Sequence, residues 1–249
     1  NGSNRMSKTN KEGKFELLKT VVIAGLIALG FRSFLFEPFN IPSGSMVPTL
    51  LVGDYLFVSK ASYGYSRYSF PLSIAPFGGR VFSDVPERGD VAVFRQPTDP
   101  AVSFIKRVIG LPGDRVQVKG GLLHINDVTV ERTYLGPATA TNGFLTINFK
   151  VYKESLPNGS TYLIQERSDD DSYDDTAVFQ VPEGHYFMMG DNRDNSRDSR
   201  TTSVGMVPAE NLVGRADRLF FSHNGNARIW QFWKWPFAIR YGRIGDSII

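Results

Sequence analysis

Beyond residue 40 the chain does not hold a helical period for long. Its apolar residues come in short runs closed by glycine, proline, asparagine or aspartate. The run 55–58 follows Gly53-Asp54, the run 90–94 follows Glu87-Arg88-Gly89, and 102–109 ends at Leu111-Pro112-Gly113-Asp114. Runs 115–118 and 122–125 flank Gly120-Gly121, a pair that accepts the positive φ of a tight hairpin turn. Further runs lie at 145–152, around the turn Pro157-Asn158-Gly159 to 162–165, and at 186–189. Runs this short, punctuated by turn residues, make strands. The 24 glycines, 14 prolines and 19 phenylalanines agree, and 41% hydrophobic residues suffice for a core. The expected fold class is mainly β: an antiparallel-sheet core from 37–113 and 181–249, with an inserted β subdomain at 114–180. The acidic stretch 168–175 reads as a solvated loop.

One helix precedes this body. Lys8, Lys11, Lys14 and Lys19 lead into an apolar run at 20–31, Arg32-Ser33 interrupt it, and Phe34-Leu35-Phe36 resume it. A helix needs about 20 residues to span a bilayer. Residues 17–36 reach that length if Lys19 and Arg32 snorkel to opposite interfaces. The lysine excess then keeps 1–16 in the cytoplasm and places the rest outside; residues 1–5 read as a tag remnant. A cleavable secretory signal is the competing reading, because the clean apolar core is short and Ala28-Leu29-Gly30 could pass as a cleavage site. Cutting there would leave the serine loop that follows on a ragged new terminus, so an anchor is expected. A net charge of +3 suits an anionic membrane surface. No basic run interleaved with aromatics suggests nucleic acid as a partner. The absence of cysteine removes disulfides, thiolate metal sites and a cysteine nucleophile.

Just outside the apolar helix lies Ile41-Pro42-Ser43-Gly44-Ser45-Met46-Val47-Pro48-Thr49-Leu50. Gly44 admits close backbone approach and the two prolines restrict φ on either side, so the loop reads as a rigid mount for Ser45. Lys106 alternates with Phe104 and Val108 on one face of its run. An ammonium among apolar neighbours loses its proton more readily and could act as a base toward a serine hydroxyl; the bland alternative is a lysine snorkelling from a half-exposed strand. The block 190–200 carries Asp191, Asp194 and Asp198 among Arg193, Arg197 and Arg200. It fails as a calcium loop, since Arg193 and Ser196 stand where a ligand and a glycine belong. Its charges are expected to neutralise one another locally, either as a rigid network or as a solvated turn. His124, His185 and His223 sit in no ligand motif, so metal chemistry is not expected. A Ser-His-Asp arrangement through His185 stays open with little support. Trp230, Trp233 and Trp235 form a C-terminal aromatic tail that either dips into the outer leaflet or packs on the core.

Taken in order, these segments resemble the type I (leader) signal peptidases of bacteria. The resemblance is carried by 42–50, Gly53-Asp54-Tyr55, Arg88-Gly89-Asp90-Val91, 104–114 and 190–200. It implies a membrane-anchored serine endopeptidase that uses a serine–lysine dyad and an acyl-enzyme. Ser45 would be the nucleophile and Lys106 the general base. The Ser45 N–H and the Ser43 hydroxyl would form the oxyanion hole, and Ser196 would hydrogen-bond and orient the Lys106 amine. Asp191, Asp198 and Arg200 would brace the site, with Arg107 as partner of Asp191. Shallow pockets lined by Phe39, Ile41, Met46, Leu50, Val93, Phe104 and Ile105 would select small residues at a small-x-small cleavage site. Phe104 stands where tyrosine is common in the family. The implied partners are signal-peptide-bearing preproteins and membrane lipid, near the secretion translocon, with no cofactor. The implied location is the bacterial cytoplasmic membrane, crossed once, with the catalytic domain on the outer face. The self-cleaving repressors of the DNA-damage response and a non-enzymatic β module are the alternatives. The first would need a DNA-binding domain where the lysine-flanked apolar helix stands.

Overall fold

The strand Ser103–Gly110 organises the molecule. Its β-branched and aromatic residues suit a pleated surface, and from Ile105 onward it is buried on both faces. Val91–Arg95 pairs along one edge and His185–Met189 along the other, both antiparallel. Three clusters of core residues meet across it. Ile105 joins Ile41, Met46, Leu50 and Val93; Val108 joins Phe94, Met188 and Leu212; Ile109 joins Val116, Ile164 and Phe187. The computed structural model describes residues 2–70, 78–82, 84–142, 145–227 and 230–248, without side chains at 2–14, 31–33, 141, 142 and 145.

The central sheet has seven strands, in the spatial order Phe36–Asn40, Asp54–Ser59, Leu212–Ser222, Val91–Arg95, Ser103–Gly110, His185–Met189 and Val207–Pro208. Every pairing in it is antiparallel. Register shifts along Leu212–Ser222 mark bulges that bend the sheet. Strands between 115 and 180 make two smaller sheets. One holds Phe179–Gln180, Arg115–Lys119, Leu122–Ile125 and Val128–Thr129; the other holds Glu131–Asn142, Leu145–Ser155 and Thr161–Glu166. Among the described residues, the buried side chains of these sheets join the core of the central sheet. Val116, Ile125, Tyr152 and Ile164 share one cluster with Ile109, Phe187 and Met189 of the central sheet.

Several elements depart from the sequence reading. Glu131–Asn142 is a long strand that no apolar run announces. Gly136-Pro137 lies within it, the register shifts between Tyr134 and Gly136, and the strand sits at a sheet edge, where a residue lacking an N–H is tolerated. The stretch 168–175 is irregular but is not simply solvated. Asp174 is buried, its carbonyl accepts from Gly121 N at 3.0 Å, and its carboxylate accepts from Asp171 N at 2.6 Å. In the C-terminal tail, Trp230, Phe232, Trp233, Trp235 and Phe237 are all exposed, so these rings are not a core-packing plug.

The N-terminal helix runs Gly2–Phe34. Leu17, Leu18, Val21, Val22, Ile23, Leu26, Ile27 and Leu29 are exposed along it. Among the described residues, no helix is long and apolar enough to cross a membrane.

Candidate active site

The loop bearing Ser45 is fixed from below and from the side. Met46 and Leu50 are fully buried in the cluster with Ile105, which pins the loop to the sheet. Leu50 N donates to Met46 O at 2.8 Å, closing a short turn. Asn192, from the polar block, grips the same loop twice: its N–H donates to Ser45 O at 3.1 Å and its Nδ2 to Gly44 O at 2.9 Å. At the loop's far end Arg243 donates to Thr49 O at 2.9 Å and to Asp54 Oδ2 at 2.6 Å, so the C-terminal segment holds the exit.

Lys106 meets Ser45 in this frame. Its side chain is 2% exposed, and Nζ donates to Ser45 Oγ at 2.7 Å and to Ile105 O at 2.9 Å. The Phe104 ring covers the amine, 5.4 Å from its centroid. Burial lowers the Lys106 pKa to about 8, although Asp198 and Asp191 favour the charged form. A lysine thus depressed is partly neutral near neutrality. The neutral amine has a lone pair to take the Ser45 proton, and Ser45 Oγ is the oxygen it touches. Ser43 Oγ lies 3.4 Å from Ser45 Oγ. These side chains open into a cavity of about 510 Å³, lined by Ser43, Gly44, Ser45, Phe104 and Lys106 on the sheet side. Asp194, Asn195, Ser196, Arg197 and Tyr173 line the rest of it.

The charges of the 190–200 block do not neutralise one another locally, except in one pair. Arg200 binds Asp198 through Nε and Nη2, each at 2.9 Å. Burial opposes the Asp198 charge, yet Arg200 and the Gly190 N–H hold its pKa below the usual carboxylate range. The other partners come from elsewhere. Asp191 takes Arg107 Nε at 2.9 Å and Nη2 at 2.7 Å, and Thr49 Oγ1 donates to it at 2.5 Å. Arg193 binds Glu154 of the strand Leu145–Ser155 at 2.8 and 2.5 Å. Tyr162 OH donates to the same carboxylate at 2.6 Å. Asp194 accepts Arg167 N at 2.6 Å. Charges that meet only after the chain folds back leave no local pattern.

The hydrogen bond expected from Ser196 to Lys106 is not made. Ser196 lines the same cavity, but its buried Oγ makes no close hydrogen bond and its polar neighbour is the Asp198 carboxylate, while Lys106 bonds Ser45 and Ile105 instead. Of the expected pocket residues only Phe104 lines the cavity. Ile41, Met46, Leu50, Val93 and Ile105 lie together beneath it as buried core, with Phe39 packed against them. None of the three histidines reaches the cavity, and His185 Nδ1 lies beside Glu183 O at 2.9 Å. Thr49, Glu154, Tyr173 and Asn192 at this site were not singled out by sequence. Thr49 and Asn192 carried a signal, their places in the serine loop and in the polar block.

The family model for signal peptidase, peptidase S26, matches residues 14–221. A signal peptidase I of Rickettsia typhi is 47% identical over 225 residues, covering 87% of this chain and 83% of its own. One from Rickettsia akari is 45% identical over 227 residues, covering 88% and 84%. Among solved structures, a signal peptidase I from Enterococcus faecalis is 25% identical, covers 53% of this chain and 97% of its own, and has a TM-score of 0.31.

Proposed function

The chain belongs to the signal peptidase family, peptidase S26, and from that premise we propose that it works through a Ser45–Lys106 dyad held at a membrane surface. As a signal peptidase it is a serine peptidase that acts on signal-peptide-bearing preproteins. The observation that carries the dyad is the buried 2.7 Å contact between Lys106 Nζ and Ser45 Oγ. Neutral Lys106 takes the Ser45 proton as Oγ attacks the scissile carbonyl. The new C–O bond makes a tetrahedral oxyanion, which collapses to an acyl-enzyme as the C–N bond breaks. Lys106, now protonated, gives its proton to the leaving amine. It then takes a proton from water as the water oxygen attacks the ester carbon, and returns that proton to Ser45 Oγ as the ester C–O bond breaks.

Two donors serve the oxyanion. The Ser45 N–H donates to no group among the described residues, and the Ser43 hydroxyl sits beside the attacking oxygen. Donors aimed at developing charge are worth about 3 kcal/mol each. Ser196, buried in the same cavity with its hydroxyl near the Asp198 carboxylate and in no close hydrogen bond, receives the Lys106 amine when acylation removes the Ser45 hydroxyl. Asp191 with Arg107, and Asp198 with Arg200, keep the surrounding loop from shifting. Phe39, Ile41, Met46, Leu50, Val93, Phe104 and Ile105 form the apolar bed behind the nucleophile. A bed filled this completely favours small substrate side chains at a small-x-small site, because each pocket is only as deep as these side chains yield. Preproteins lie extended beside the segments near 39–43 and 102–105, where Ser103–Gly110 runs on past its partner His185–Met189, by adding main-chain hydrogen bonds.

The helix Gly2–Phe34 acts as the anchor, and Leu17, Val21, Ile23, Leu26 and Ile27, exposed around it, support that reading. The exposed tryptophans of the tail rest at the headgroup level. The catalytic body then stands outside the cytoplasmic membrane, where translocated preproteins emerge beside the translocon. Residues 114–180 act as an insert that braces the site.

The test is cleavage of an intact preprotein in detergent by wild type, Ser45→Ala and Lys106→Ala. Wild type cuts after the small-x-small site, and each variant loses activity by at least about a thousandfold, as for removal of a nucleophile or its base. A variant that keeps most of its activity removes its residue from the dyad.

A further inference from the structure

The cavity that holds Ser45 is also lined by a residue that belongs to neither the dyad nor its braces. Tyr173 lies on the stretch between Thr161–Glu166 and Phe179–Gln180, in the part of the chain least marked by sequence. It lines the cavity that holds Ser43, Ser45 and Lys106. We propose that Tyr173 contacts the bound preprotein and sets selectivity for one residue of the segment lying across Ser45. This rests on Ser45 being the nucleophile.

Three observations carry the proposal. First, the segment is tied down on both sides of Tyr173 by its own acids. Arg167 Nη2 binds Asp171 Oδ2 at 2.5 Å, Asp174 N donates to Asp171 O at 3.0 Å, and Gly120 N donates to Asp175 Oδ1 at 2.9 Å. The carboxylates are anchors, and Tyr173 is the side chain of this segment that lines the cavity. Second, one face of its ring rests on Arg200, whose guanidinium lies 5.4 Å from the ring centroid. Arg200 is itself immobilised by Asp198 and by the Arg193 carbonyl, with Nη2 at 2.6 Å from the latter. The ring therefore has a fixed support and loses little freedom on meeting a ligand, which favours affinity. Third, Tyr173 remains 36% exposed although it is anchored and stacked. An amphipathic ring with one face supported and its remainder open to a groove is suited to a peptide side chain.

Tyr173 is a specificity residue, not a cover for Arg200, because Arg200 already has its charge partner and its carbonyl without it. Its position differs from the apolar bed under Ser45, which is full. Selectivity imposed by Tyr173 comes from the exposed part of its ring in the cavity lining, and ring size tunes it.

The experiment uses the full chain in detergent and a panel of preproteins varied one residue at a time on both sides of the scissile bond. Wild type, Tyr173→Ala, Tyr173→Phe and Tyr173→Trp are compared by kcat/KM, with thermal midpoints measured in parallel. Tyr173→Ala is expected to relax discrimination at one substrate position by about tenfold, the order of one lost apolar contact, through KM with kcat little changed. Tyr173→Phe keeps the wild-type profile, and Tyr173→Trp sharpens selection at the same position. If the Tyr173→Ala profile superposes on wild type, or all substrates fall by one common factor with a lowered thermal midpoint, the ring is only structural and the proposal fails. Cleavage by a Ser45→Ala control would instead overturn the nucleophile assignment beneath it.

Discussion

Lys106 is 2% exposed, on a strand whose residues are buried from Ile105 to Gly110. Alternation placed it between Phe104 and Val108, and a strand with polar spacing would have left it snorkelling. The strand instead lies between core clusters on both faces, and that depends on chain segments far from residue 106. Burial depresses its pKa to about 8 from 10.5, and two measurements follow. With Lys106 as the proposed base, catalysis needs the neutral amine, so kcat/KM rises with pH through a midpoint near 8; a midpoint close to 10.5 would contradict that proposal. Stability carries the opposite face of the same shift. Below about pH 8 both folded and unfolded chains hold the proton, and the folded state bears the full cost of a buried charge, on the order of 3 kcal/mol. Between 8 and 10.5 only the unfolded chain stays protonated, so stability rises with pH. Lys106→Met is therefore more stable than wild type at pH 7 in thermal denaturation, and its advantage shrinks as pH climbs through that window.

At the scale of elements, the segment 190–200 was legible as a rigid polar block and illegible as a wiring diagram. Its residue types excluded a calcium loop, but Asp191 and Arg193 pair with Arg107 and Glu154, which are distant in sequence. The same segment hides a steric constraint in a residue with no chemistry. A Cβ on Gly190 would lie 2.2 Å from Ser196 Oγ and 2.5 Å from Ser45 O. Glycine is required there by close approach of two loops, and one of the atoms met is backbone, which cannot rotate away. Gly190→Ala must push the Ser45 loop off Lys106 or displace Ser196. A displacement of about 1 Å at a reacting group costs roughly a hundredfold in rate. Gly190→Ala should lower kcat by that order on a preprotein while leaving the circular dichroism of the β body in place. Activity within twofold of wild type, ~0.4 kcal/mol, would mean that the loops give way without disturbing the dyad.

For the molecule as a whole, the decisive relation is between the strands of 115–180 and the site. Sequence offered no role for that region, because no motif lies in it and its longest edge strand contains Gly136-Pro137. In the fold it supplies Glu154 and Tyr162 to Arg193, and Gln165 N bonds Asp191 O at 2.9 Å. Arg193 Nε in turn donates to Gly190 O at 3.2 Å, at the hinge of the loop that carries Asn192 and Ser196. The Glu154–Arg193 pair is 1% and 3% exposed, so removing one partner strands a buried charge, at a cost of about 3–5 kcal/mol. Replacing both with apolar residues is often neutral for stability. That asymmetry separates bracing from mere packing. Glu154→Gln should lose both thermal stability and kcat. The double variant Glu154→Met/Arg193→Met should regain most of the stability but not the kcat, since no side chain then ties the insert to the Gly190 carbonyl. Full recovery of kcat in the double variant would show that the insert contributes packing alone, and that the Ser45–Lys106 geometry is held by Asp191, Asp198 and their arginines without it.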